Sequence, residues 1–109
     1  MNRYVESGLM SDALQGKRVV IVGPNRTELR AAFNALTERS APIVSTRASN
    51  GRERIEYAGG GSIRFLTPGA VRGHSVDVVY VQGWNELTEQ QRGDIIPMTA
   101  AGEGELIRA

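Results

Sequence analysis

The chain contains no cysteine. That excludes a disulfide scaffold, thiolate metal ligation and a cysteine nucleophile. Histidine occurs once, at His74, so one chain cannot assemble an imidazole metal cluster. Among the 13 basic residues Lys17 is the single lysine, and all the others are arginine. No apolar run approaches the roughly 20 residues needed to span a bilayer. Residues 1–15 mix charged with apolar side chains and lack the apolar centre of a signal peptide. A soluble chain of the cytoplasm, with no membrane partner, is expected. Charge of one sign is also missing: 13 basic against 12 acidic residues leave a net charge of +1. So small a surplus exerts no global pull toward nucleic acid or anionic lipid.

What remains is 109 residues and 11.8 kDa, the size of one domain spanning 1–109. Hydrophobic residues make up 40 % and aromatics only 6 %, so aliphatic side chains must build the core. A chain this short buries a modest fraction of its surface, and its stability is marginal or helped by a partner.

Residues 3–14 read as a weakly amphipathic helix that Gly16 ends. Lys17-Arg18-Val19-Val20-Ile21-Val22-Gly23 then places four β-branched residues in a row, the pattern of a strand buried on both faces. Pro24-Asn25 turns out of it, and Asn25 or Thr27 is placed to cap a helix. In that helix Leu29, Ala32, Phe33 and Leu36 form one apolar stripe, and the pattern ends near Ser40 with Pro42 as a stop. A short extended piece covers 43–45, and Asn50-Gly51 signals a turn. Stretches 52–58 and 62–67 alternate apolar with polar residues around Gly59-Gly60-Gly61, predicting an antiparallel hairpin with one wet face. Val76 to Val81 gives the second buried-strand pattern. Thr88-Glu89-Gln90-Gln91 is a capping box before a helix to about Ile96, which Pro97 terminates. The tail 103–109 contains a last strand over 105–107. Buried strands alternating with helices imply an α/β three-layer sandwich with a mostly parallel sheet and one antiparallel hairpin. In such sheets ligands collect at the carboxyl ends of the strands, here loops 23–27 and 82–86.

From Gly60 onward the chain resembles the ATPase domain of phage terminase large subunits, the DNA-packaging motors. Gly61-Ser62-Ile63-Arg64-Phe65 is similar to a strand of that family. Arg72-Gly73 followed by Asp77 is similar to the approach to its Walker B strand, and Asp77-Val78-Val79-Tyr80-Val81 to the strand itself. Leu87 to Gln91 and Ile95-Ile96-Pro97 resemble the start and end of the next helix, and 17–36 an earlier strand and helix. The resemblance covers about 90 residues and implies a truncated, RecA-like (P-loop NTPase-like) fold. It also exposes departures. A phosphate-binding loop needs backbone N–H groups and a lysine converging on phosphates. Gly16-Lys17-Arg18 precedes a strand, and Gly23-Pro24-Asn25 has no lysine behind it. The family's Walker B acids, one holding Mg²⁺ and one activating water, align with Gln82 and Gly83, and Trp84 adds bulk beside them. Gln82-Gly83-Trp84 is therefore a degenerate Walker B end reused for binding, or an ordinary strand-to-helix turn.

Arginines 47, 52, 54 and 64 give the hairpin a basic face suited to a nucleic-acid backbone. Glu53 and Glu56 dilute it, and cross-strand Arg–Glu pairs are the competing reading. Arg72-Gly73-His74 reads as a basic loop for phosphate or a neighbouring subunit, or as a solvated loop. The candidate nucleic-acid or partner residues are thus Arg52, Arg54, Arg64, Arg72 and His74. No nucleophile stands beside a base at recognisable spacing. No catalytic residue, metal ligand set or cofactor is assigned.

The expectation is a non-catalytic phage-type protein that binds protein or assembles with itself, in DNA packaging or the virion. Its place is the cytoplasm of the infected host cell or the virion. A nucleic-acid-binding module and a residual nucleotide-binding enzyme are the alternatives. A sheet lacking the family's central phosphate-loop strand must close that gap, borrow a strand or bury an open edge. Helix 3–14 is expected to cover such an edge.

Overall fold

A computed structural model describes residues 1–49, 51–99 and 104–109. In chain order it contains α1 (Arg3–Leu14), β1 (Arg18–Val22), α2 (Arg26–Thr37), β2 (Ile43–Arg47), β3 (Arg54–Tyr57) and β4 (Ser62–Leu66). These are followed by β5 (Val78–Val81), α3 (Glu89–Ile95) and β6 (Glu105–Arg108). Short 3₁₀ turns occupy Pro68–Ala70, Trp84–Glu86 and Ile96–Thr99.

The strands form one six-stranded sheet in the order β2-β3-β4-β1-β5-β6. Pairs β4–β1, β1–β5 and β5–β6 are parallel, whereas β2–β3 and β3–β4 are antiparallel. The mostly parallel expectation thus holds for the β4-β1-β5-β6 half. The expected hairpin is β3–β4, and 43–45 grows into the full strand β2, which extends it to three strands. The pairing is continuous from β2 to β6, so the described strands leave no gap in the sheet.

Strand β1 explains the layering. Val19 and Ile21 point to one face, Val20 and Val22 to the other, and all four are buried. Both faces beside it must therefore be covered. On the first face α1 and α2 supply Leu9, Ala13, Leu29, Phe33 and Leu36. Phe33 meets Phe65 edge-on, with ring centroids 5.5 Å apart at 81°. On the second face α3 and its 3₁₀ extension set Ile95 and Met98 against Val79 and Val81. Helix α1 covers this sheet face, not an open edge, because Leu9 and Ala13 give it apolar contact there with the first core.

Roofing on the second face stops at β4. Ile55, Tyr57, Ile63 and Phe65 face α2, so their neighbours Arg54, Glu56, Ser62 and Arg64 fall on the far side. Three layers exist over the parallel half and two over the antiparallel half.

Local signals account for the helix ends. Asn25, not Thr27, caps α2: its Oδ1 accepts the Glu28 N–H at 2.9 Å. Thr88 and Gln91 make both hydrogen bonds of the capping box. Helix α3 stops at Ile95, and Pro97 lies inside the 3₁₀ turn. Two expectations, the turn at Asn50 and the start of the tail at Glu103, lie outside the described residues.

The glycine turn 59–61 lies under the end of α1. A Cβ at Gly61 would stand 1.7 Å from the Ala13 carbonyl oxygen, so helix and turn could not both keep their places. Overpacking of this kind costs about 1–3 kcal/mol. Gly61→Ala is expected to lower the unfolding free energy by at least that much in urea titration. An unchanged midpoint would show that α1 does not bear on the turn.

Candidate anion-binding groove

The register of the antiparallel strands decides the character of the unroofed face. Arg47 pairs directly with Arg54, and Arg54 directly with Arg64. Three arginines on three adjacent strands therefore stand in one row. Directly opposed side chains lie about 4.5–5.5 Å apart at Cβ, and like charges so placed destabilise a sheet. The competing reading, cross-strand Arg–Glu pairing, has no such pair among the described residues. Glu56 lies opposite Ser62 and Ser45, and it pairs instead with Arg54 on its own strand. Among the described residues Arg47, Arg52 and Arg64 make no ion pair.

Two adjoining depressions lie over this row. One, of about 380 Å³, is lined by Arg47, Arg52, Arg54, Arg64 and His74. The other, of about 520 Å³, continues past Arg54, Arg64 and His74 toward Ser62 and Arg18. Together they form a groove across β3 and β4, walled by the loop that carries His74. Glu53 also lines it. This carboxylate is 3 % exposed, and its Oε1 has no hydrogen-bond partner among the described residues. With Arg18 paired to Asp77 and Arg54 to Glu56, the lining is left with Arg47, Arg52 and Arg64 against Glu53. The whole chain carries only +1, so the surplus is concentrated here.

Of the sequence-predicted residues, the structure brings together Arg52, Arg54, Arg64 and His74. Arg72 lies elsewhere: it points into solvent, 81 % exposed, and reaches Asp94 of α3 at 3.6 Å. Sequence reasoning did not include Arg18 in the lining, and nothing local marks it. It enters because β1 pairs with β4 and places Arg18 opposite Ser62.

The other candidate region, 82–84, has a different geometry. Gly83 adopts φ 70°, ψ 38°, a left-handed conformation that glycine tolerates best. Gln82 turns beneath α2, beside Glu28 and Ala32, with Oε1 buried and without a hydrogen-bond partner among the described residues. Trp84 packs on the second core, with Arg92 and Arg108 over its ring at 5.6 and 5.7 Å. The Arg92 Nε also donates to the Trp84 carbonyl at 3.1 Å.

Asp77, the acid of the Arg-Gly…Asp series, is a fastener between strands. Its Oδ2 accepts the Arg18 backbone N–H at 2.8 Å and faces the Arg18 Nε at 3.5 Å. The backbone bond, more than the guanidinium, holds its carboxyl below the usual range despite some opposing desolvation. A carboxylate lowered on folding stabilises above its unfolded value near 3.8 and loses that contribution as pH falls through the folded value. Asp77→Asn is expected to be less stable than the wild type at pH 7. The two stability curves should converge as pH falls through the folded value, which lies below 3.8. Parallel curves across the acid range would mean that Asp77 is not the titrating fastener.

The fold and groove describe a mixed α/β domain with one arginine-rich, unroofed sheet face. Two crystal structures share this architecture, both of the large terminase from the thermophilic bacteriophage D6E, one of them in complex with ADP. Each aligns with 97 % of this chain at a TM-score of 0.62, with 13 % identity for the ADP complex and 14 % for the other. The chain spans only 28 % and 27 % of those chains. At such identity the likeness is one of fold. No protein-family profile and no curated protein sequence matches the chain.

Proposed function

We propose that this chain is a non-catalytic binding module on a terminase ATPase-like, RecA-like scaffold, with a task related to phage DNA packaging or the virion. The turn after β5 carries the reading. Phosphoryl transfer needs an acid to hold Mg²⁺ and a group to position water. At the aligned positions stand Gln82, neutral and folded under α2, and Gly83, bare and left-handed. At the neighbouring strand end, Pro24 has no N–H to offer and no lysine follows it. Asn25 already occupies the Glu28 N–H that an anion would seek at the start of α2. The fold shared with the D6E large terminase supports the packaging-related setting.

The module acts through protein contact, with its own copy as the first partner. Strands β2 and β6 end the sheet, and among the described residues each pairs on one side only. Open edges of this kind accept a further strand. Val44 on β2 is 68 % exposed, an apolar side chain on an edge with no cover.

Two measurements test the reading separately. Calorimetry with ATP and Mg²⁺ is expected to give no binding heat, and saturable heat would overturn the non-catalytic assignment. Light scattering is expected to give a multiple of 11.8 kDa, and Val44→Lys should return the mass of one chain, because an edge lysine blocks strand addition. A single-chain mass at every concentration would remove self-association and leave a different protein as the partner.

A further inference from the structure

We propose that the groove across β3 and β4 binds the sugar–phosphate backbone of a polynucleotide, with Arg47, Arg54 and Arg64 as its contact row. Arginine directly opposite arginine costs the sheet stability. Nothing in the folding of a three-stranded meander requires arginine opposite arginine opposite arginine. An apolar or opposite-charge choice at any of the three positions would pair better. The chain has 12 acidic residues, yet its register sets none against this row, and Glu56 reaches only the middle member. A row of cations in which only the middle member has an acidic partner is matched by a ligand that brings repeating negative charge.

The geometry narrows that ligand. Adjacent strands lie about 4.8 Å apart, so the row spans about 10 Å, the reach of two to three consecutive phosphates on one backbone. Arginine forks suit phosphate oxygens, which they can engage in pairs. Among the described residues no Phe, Tyr or Trp lines either depression and His74 is the single ring in its wall, so there is no platform for stacking successive bases, and binding is indifferent to sequence. The lining also offers no aromatic anchor pocket of the kind that seats a peptide side chain. Glu53, buried at the edge of the row, sets an acidic limit to the groove that keeps phosphates on the Arg47–Arg54–Arg64 side. This site lies away from the turn after β5, so its failure would leave the non-catalytic reading untouched.

The test uses the full chain and a fluorescein-labelled 20-base-pair duplex. Binding should weaken with salt, with a slope of log K against log salt of about −3, from three phosphates at roughly 0.9 each. Arg47→Gln and Arg64→Gln should each weaken binding several-fold and reduce the slope by about 1. Arg72→Gln, outside the groove, should change neither. The melting temperature of Arg64→Gln should equal or exceed that of the wild type, because the substitution relieves an opposed like-charge pair. Equal weakening by Arg72→Gln would overturn the proposal in favour of a diffuse basic surface. Displacement of the duplex by polyglutamate at equal charge would assign the groove to an acidic protein. Displacement by inorganic phosphate at matched ionic strength would reduce it to a site for one anion. A sharp fall in the Arg64→Gln melting temperature would make the row structural.

Discussion

Strand β1 is the member on which the rest of the molecule depends. Its four apolar residues bury alternately on two faces, so helices must lie above and below it. That demand draws α1 and α2 to one side and α3 to the other. It also draws β4 and β5 alongside as parallel neighbours, since a backbone buried on both faces must satisfy its polar groups within the sheet. Coverage ends where the apolar pattern on the second face ends, at β4. The groove is the region beyond that limit.

The two halves of the sheet therefore obey different rules. In the central parallel strands β1 and β5 side-chain identity is set by packing, and the buried residues are valine and isoleucine except for Tyr80. In the antiparallel half one face is packed and the other is free, so its residues answer to charge and to partners. This is why an anion-binding row can exist there without disturbing the core. The first core, with Phe33 against Phe65, lies on the opposite side of the same strands and holds them in register.

The same contrast governs the strand ends. A related architecture appears in a large terminase in complex with ADP, yet the turns after β1 and β5 in this chain are stabilised by their own groups. Asn25 closes the start of α2, Gly83 makes the turn, and Arg92 and Arg108 flank Trp84. Side chains at these turns are committed to local structure. A scaffold can keep its shape through aliphatic packing while its loops diverge, because packing and chemistry reside in different residues.

Much of this was legible in the linear chain. Period and punctuation placed the doubly buried strands, the stripe of α2, the capping box at Thr88 and the glycine turn, because each follows from contacts within a few residues. The arginines of the hairpin were visible as a basic face as well. Which side chain stands opposite which was not visible, since register depends on how β2, β3 and β4 align across the sheet. Local pattern allowed arginine to meet glutamate, whereas the aligned strands set arginine against arginine. The same non-local placement brought Arg18 to the groove, sent Arg72 to Asp94 and laid α1 on a face instead of an edge. Periodicity along one strand determines which face a residue takes. Only the pairing of distant strands decides its neighbours, and at this surface the neighbours make the site.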